Sequence, residues 1–309
     1  MNGNAQKLAD ILPAWSFSPR RIWVLAENTV TQLVRMKVFY FLIVFAAIVL
    51  FLAAAGLAWK PLEHLLAIKR WSFGAMYIFT MVYSISATAL LIPRDVEDRT
   101  LYTVLSKPVP RFEYLAGRLL GVLLVNGIAL LVMFAAMALV VKLNMGAVEE
   151  DFLREFQRTA GAEAVTKQEV GRQLELAHRH GVTLSLFWGL WAIYLKSSVI
   201  SAVTLFVSTF ASSSLFTIVV SATIAFLGHF HQLAMDYWVY ESNLGAVGKL
   251  MAKLVVIVFP NLALFDVVDE VIQGAHLAGT QVLGMTGIGL FYVLFFLLLS
   301  QLVFVDKEL

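Results

Sequence analysis

Long stretches without a charged side chain alternate along the chain with shorter polar segments. Three of these stretches, 38–58, 71–93 and 119–141, are 21 to 23 residues long. A helix rises about 1.5 Å per residue, so 21 residues give roughly 31 Å, which is enough for the ~30 Å hydrocarbon core of a bilayer. These stretches predict the first three membrane-spanning helices.

The stretch 182–228 is 47 residues long and carries one charge, Lys196. It is too long for a single crossing and predicts a fourth span at about 191–210 and a fifth at about 215–233, with a turn at 212–214. Tryptophan and tyrosine before Lys196 are typical of a membrane–water interface. We therefore expect Lys196 near the outer end of the fourth span, where its ammonium reaches water. The alternative is a buried charge in a transport pathway.

The last span is predicted at 287–304, with a start near residue 282. Before it lies a mixed segment, 235–281. Its apolar part, 250–264, is short and is interrupted by a lysine and a proline. A re-entrant or interfacial helix fits such a segment better than a crossing does.

The predicted fold is an all-α polytopic membrane protein with six transmembrane helices. Residues 1–37 form a cytoplasmic tail with an amphipathic, interfacial helix over 20–37, for which an extended start of the first span is the alternative. Residues 38–141 carry spans one to three. Residues 142–183 form a helical insert outside the cytoplasm, and residues 184–309 carry the remaining spans.

Composition supports the membrane assignment. The chain is 60% hydrophobic and 14% charged, and its net charge is +2. Soluble domains are about 45–50% apolar and about 25% charged. Intrinsic disorder is excluded, and no nucleic-acid partner is expected because no basic stripe is present. With no cysteine in the chain, disulfides, thiolate metal sites and a cysteine nucleophile are also excluded.

The segment 93–118, between the second and third spans, has the most distinctive pattern. Charged residues follow the second span directly, and Leu101 and Leu105 then share one face of a short helix. Pro108 lies in a break, and a helix restarts at Arg111. This predicts a compact elbow. An ordinary solvated loop is the alternative, but the apolar side chains favour contact with a protein partner.

The run from Asp95 to Arg118 resembles the loop between the second and third spans of type-2 ATP-binding-cassette (ABC) exporter permeases. More narrowly, it is similar to the branch associated with multi-copper-enzyme maturation. Arg118 replaces the usual lysine, and Arg99 stands where glycine is common. The resemblance extends to 207–210, 259–262 and 304–309. The matching positions in the loop are Glu97, Thr100, Leu105, Ser106, Pro108, Arg111 and Gly117.

The resemblance implies a multi-pass protein of the inner (cytoplasmic) membrane with both termini in the cytoplasm. It implies a separate ABC ATPase subunit that binds ATP and Mg, and a second permease chain, identical or different, that completes the translocation path. The ATPase would dock on an elbow formed by Glu97, Thr100, Leu101, Leu105, Pro108 and Arg111.

The chain lacks the chemistry to hydrolyse ATP itself. A P-loop needs Gly, four residues, then Gly-Lys and a hydroxyl residue, and the nearest string, 243–250, lacks the first glycine and the hydroxyl. The chain is therefore predicted not to be an enzyme and to contain no cofactor. No metal site is predicted, because the paired histidines are two residues apart and point to different helix faces.

Polar residues within the predicted spans have two interpretations. Interhelical hydrogen bonds are the first, and lining of a transport path is the second. Small residues at Gly117 and Gly121 also predict the close approach of another helix. The polar residues are Asn126, Ser84, Thr88, Lys196 and Ser201.

The pattern as a whole predicts the permease subunit of an ATP-driven exporter. A non-transporting membrane anchor or assembly subunit of an ATPase complex is the alternative. A membrane-embedded enzyme is less favoured, because it needs converging carboxylates or histidines at membrane depth, and the spans contain almost none.

Overall fold

A computed structural model describes residues 18–35, 44–45, 47–48, 51, 60–97, 110–160, 167–211, 213–229, 245 and 259–305. Except for five residues, the predicted first span lies outside the described part. The elbow residues between 97 and 110 also lie outside it, as does most of 230–258.

The described residues are helical and contain no strand. We number the described α-helices in chain order and name the 3₁₀ turn among them by its range. They are α1 (Pro19–Arg35), α2 (Pro61–Glu97), α3 (Arg111–Ala160), α4 (Lys167–His178), α5 (Leu184–Phe210), α6 (Ser214–His229), the 3₁₀ turn (Leu262–Phe265), α7 (Val268–Ile272) and α8 (Gly279–Val305).

Four of these helices, α2, α3, α5 and α8, are long and apolar enough to cross a membrane. They correspond to the predicted second, third, fourth and sixth spans. The chain is therefore a helical membrane protein, as its hydropathy predicts. The fifth predicted span is described only as the 16 residues of α6, because its last residues lie outside the described part.

Several helices are longer than their predicted spans. α5 starts at Leu184 and not near residue 191, so seven further residues precede the predicted crossing. α3 continues through the predicted span into the insert and ends only at Ala160. No proline interrupts it, and Gly146 lies within the helix with no neighbouring atom within 4 Å of the position that a Cβ would occupy. α4 then packs back against α3.

Burial distinguishes a central from a peripheral helix. In α5, 83% of the most apolar window is buried, whereas the corresponding value for α8 is 28%. α5 packs against α2, α3, α6 and α8. It is therefore the centre of the bundle, and much of α8 is exposed where lipid would surround the protein.

One end of the bundle brings together three segments that are distant in sequence. α1 packs along the first turns of α3. The Arg111 Nη1 atom at the start of α3 donates a hydrogen bond of 2.7 Å to the carbonyl of Phe304 near the end of α8. The topology predicted from the sequence places all three segments on the same side of the membrane.

The other end of the bundle joins segments that were assigned to the opposite side. Lys69 Nζ, near the start of α2, donates to the carbonyl of His180 at 2.5 Å. Burial, and then the charge of Lys69, lower the pKa of His180. Ser185 at the start of α5 contacts His276 before α8, with 3.4 Å between Oγ and Nδ1. Gly274 turns the chain there with φ of 85°.

Candidate functional site

The first turns of α3 form a close contact with α1 through two glycines one turn apart. An ideal Cβ at Gly117 would lie 2.5 Å from Leu25 Cβ, and one at Gly121 would lie 2.5 Å from Thr29 Cβ. Side chains at these positions would therefore prevent the observed approach. The close helix approach predicted from this glycine pair is confirmed, and the approaching helix is α1.

Charged groups of α3 around the glycine contact also bind α1. Glu113 is buried, and its carboxylate accepts from Arg21 Nε at 2.5 Å and Arg21 Nη2 at 2.9 Å. The backbone N–H of Ser18 also donates to Glu113, at 2.8 Å. The Glu113 carboxylate raises the pKa of Arg21. One turn further along, Arg118 Nη1 donates to Thr29 Oγ1 at 3.1 Å and to Gln32 Oε1 at 2.9 Å.

The same turns of α3 also contact the end of α8. The Arg111 guanidinium lies 5.8 Å from the centre of the Phe304 ring. The Tyr114 ring stacks on the same ring with 6.2 Å between centroids. We call residues 111–121, together with α1 and Phe304, the α3 junction. It joins two helices that are distant in sequence to the end of the elbow.

The elbow itself is described only at its two ends. Glu97 is the last residue of α2, and Arg111 is the first residue of α3. The other four predicted docking residues lie outside the described part of the chain; they are Thr100, Leu101, Leu105 and Pro108.

The polar residues of the predicted spans differ in their partners. Asn126 Nδ2 donates to Ser197 Oγ at 2.6 Å, and this interhelical hydrogen bond links α3 to α5. Ser201 donates to the Ser197 carbonyl within its own helix. Ser84 and Thr88 are buried on α2, and their hydroxyls have no hydrogen-bond partner among the described residues.

Lys196 departs from the prediction. It is the thirteenth residue of α5, near the middle of the helix, because α5 starts earlier than predicted. Its side chain is 3% exposed, and Nζ donates to Asp266 Oδ1 at 2.5 Å. The ammonium also lies 4.9 Å from the centre of the Tyr77 ring. The predicted extension to the membrane surface is replaced by an ion pair with the segment after the 3₁₀ turn.

Lys196 lines a cavity of about 300 Å³ that we call the polar cavity. Tyr77 on α2 and His229 at the end of α6 meet there, with 2.5 Å between Oη and Nε2. Asp269 and Arg70 also line the cavity. The Lys196–Asp266 and Tyr77–His229 contacts thus bring α5, the segment after the 3₁₀ turn, α2 and α6 together at this cavity.

The sequence pattern does not associate Asp266 or Tyr77 with Lys196. A signal was present, because a charge in an apolar helix generally has a partner within the protein. Which carboxylate of 266–270 reaches Lys196 depends on the path of the chain after Asn261. The Asn261 side chain accepts from the N–H of Ala263 and so starts the 3₁₀ turn. Within the described residues, no three histidine, aspartate or glutamate side chains are grouped as metal ligands.

Comparison of the chain with known proteins adds no assignment. No protein-family model matches it, and no curated protein sequence matches it. The class that the fold defines is a polytopic helical membrane protein.

Proposed function

We propose that this chain is the permease subunit of an ATP-driven ABC exporter. Two independent features support the proposal. The first is the resemblance of the run Asp95–Arg118 to the cytoplasmic loop of type-2 exporter permeases. The second is the α3 junction, which joins the end of that loop to α1 and α8.

The α3 junction is the observation that carries the mechanism. A force on the elbow reaches α3 at Arg111, and the contacts at Glu113, Gly117 and Gly121 connect α3 to α1 within three turns. Arg111 and Tyr114 also connect it to α8. Closure of a partner ATPase would thus displace three helix ends together. The switch requires two states of the bundle that contact the partner differently.

The remaining elements of the proposal follow from the resemblance. The ATPase, with its ATP and Mg, is a separate subunit that docks on the elbow. Two permease chains surround the path, and both termini are cytoplasmic. The α3 junction then lies on the cytoplasmic side, and the polar cavity and α4 lie towards the opposite side.

Co-purification tests the partner. The tagged chain is extracted from its native membrane in mild detergent, and proteins bound to it are identified and quantified by mass spectrometry. An ABC ATPase near a one-to-one ratio is expected, and Glu97→Ala should release it. Arg20→Ala, on the exposed face of α1, is the matched control and should retain it. A folded chain without an ATPase would refute the proposal.

Distance measurements separate a permease from an anchor. The chain has no native cysteine, so spin labels can be attached to introduced cysteine pairs. We expect the pair Trp23→Cys and Leu302→Cys, both exposed at the α3 junction, to keep its distance when a non-hydrolysable ATP analogue is added to the complex of the chain with its ATPase. The pair Leu302→Cys and Leu184→Cys should change its distance. An anchor predicts no change in either pair.

A further inference from the structure

The polar cavity extends along one face of α2. Arg70, Gly74 and Tyr77 line it at i, i+4 and i+7, so this wall is roughly 10 Å long at about 1.5 Å per residue. Arg70 directly precedes the predicted second span, 71–93, so the Arg70 end of the cavity is predicted at the depth of the lipid headgroups. From there the cavity extends about two helical turns into the bundle.

The carboxylate of Asp266 keeps a free acceptor in this cavity. Its Oδ1 atom accepts from Lys196, whose ammonium also lies against the Tyr77 ring. A carboxylate has two oxygens and about four acceptor sites, and the bond to Lys196 occupies one of them. The Asp266 side chain is 55% exposed. It can therefore accept from a ligand and still hold Lys196.

Arg70 and Asp269 carry charges of opposite sign and line the same cavity without pairing. Both residues are exposed, and neither side chain has an ion pair or hydrogen bond to another described residue. An arginine guanidinium binds a phosphate through two parallel N–H···O bonds. The carboxylates of Asp266 and Asp269 can accept from an ammonium, which has three donors. The cavity thus offers separate sites for an oxyanion and for a primary ammonium.

We propose that the polar cavity binds a phosphoethanolamine group, with its phosphate at Arg70 and its ammonium at Asp266 and Asp269. Gly74 leaves the space for it, because nothing lies within 4 Å of the position that a Cβ would occupy there. Both an ethanolamine phospholipid and free phosphoethanolamine carry this group. The assignment is independent of the proposed function, because it depends only on the cavity and its charges.

Competition between three phospholipids with the same acyl chains tests the assignment. The purified full-length chain in detergent is incubated with equal amounts of phosphatidylethanolamine, phosphatidylcholine and phosphatidylglycerol, and bound lipids are counted by native mass spectrometry. The choline lipid lacks the N–H donors, and the glycerol lipid lacks the cation. Phosphatidylethanolamine should bind in preference to both. Arg70→Gln and Asp269→Asn should each weaken its binding roughly tenfold, the effect of one hydrogen bond to a charged group.

Three further variants separate the cavity from general effects of charge. Gly74→Leu fills the cavity without removing a charge and should abolish the preference, and leucine favours the helical state of α2 more than glycine does. Glu270→Gln, next to Asp269 but not in the lining, is the control for the carboxylate. Arg172→Gln, at an exposed position of α4, is the control for the guanidinium. Both controls should keep the preference of the wild type.

Free phosphoethanolamine distinguishes the two sources of the group. Displacement of the bound lipid by the free molecule identifies the soluble compound as a ligand, and resistance to displacement identifies the lipid; either result supports the site. Equal binding of the three lipids by the wild type would overturn the proposal. An unchanged preference in Gly74→Leu, or in both Arg70→Gln and Asp269→Asn, would overturn it as well.

Discussion

The packing of α1 on α3 can be tested by adding a single methyl group. Gly121→Ala would place that methyl 2.5 Å from Thr29 Cβ and 2.9 Å from the carbonyl oxygen of Ala26. Both atoms are fixed by the backbone of α1, so no side-chain rotation can relieve the contact. Carbon atoms in contact normally lie about 3.5–4.0 Å apart, so α1 must retreat by roughly 1–1.5 Å.

The retreat also breaks a hydrogen bond. Arg118 Nη1 and Thr29 Oγ1 are 3.1 Å apart, and a shift of about 1 Å takes them beyond hydrogen-bond distance. Overpacking typically costs about 1–3 kcal/mol, and the better helix propensity of alanine returns about 1 kcal/mol. We expect Gly121→Ala to lower the free energy of unfolding by about 1–2 kcal/mol. Gly117→Ala should add a similar loss, because its methyl would meet Leu25 Cβ at 2.5 Å.

Gly146→Ala on the same helix is the matched control. Nothing lies within 4 Å of the position that its methyl would occupy, so only the gain in helix propensity remains. Thermal unfolding in detergent measures the stability of both variants, and limited trypsin digestion at the arginines of α1 measures whether α1 is still docked. If Gly121→Ala matches Gly146→Ala in both assays, the steric reasoning is wrong.

Three further predictions concern charged residues. Arg21→Ala should expose α1 to trypsin, because it removes the main partner of buried Glu113. Arg20→Ala, at an exposed neighbouring position, should not. Equal digestion of the two variants would contradict the role of this ion pair. Asp266→Asn should lower stability by roughly 3 kcal/mol because it leaves the Lys196 ammonium buried without its carboxylate. Lys196→Met should cost much less, because Asp266 is 55% exposed, and the double variant should recover most of the loss in thermal unfolding. Single cysteines at Arg20 and Arg70 should react with an impermeant thiol reagent from opposite sides of the membrane, and labelling from one side only would contradict the predicted topology.

The hydropathy pattern was sufficient to predict the helical membrane class and the approximate positions of four helices. This prediction depends only on whether a stretch is long and apolar enough to cross a bilayer, and the four described spans meet that requirement. Helix ends were predicted less well. The start of α5 falls within uncharged sequence, where no proline or cluster of charges marks a boundary. α3 continues as a helix through the charged residues of 149–158, because charges end a membrane span without ending a helix.

A contact between distant segments was predicted only where the residue pattern of a single helix is enough to indicate it. Gly117 and Gly121 are spaced one turn apart, and this spacing predicts a close neighbour without naming it. The partner of Lys196 was not predicted, because Asp266 is 70 residues away and reaches it only through the chain path at Asn261. The partner of Arg111 is a backbone carbonyl of α8, which no side-chain pattern can indicate.

α5 connects the two ends of the bundle. In lipid, apolar helix faces gain little from leaving their surroundings, so small residues and hydrogen bonds decide which helices stay together. Three such bonds lie within two turns of α5. Trp191 donates to Thr286 on α8 at 2.9 Å, Ser197 accepts from Asn126 on α3, and Lys196 bonds Asp266. Because α3 and α8 also meet at the α3 junction, a displacement of either helix there reaches α5 through a bonded side chain. Ser197 is adjacent to Lys196, which lines the polar cavity, so we expect such a displacement to change that cavity as well.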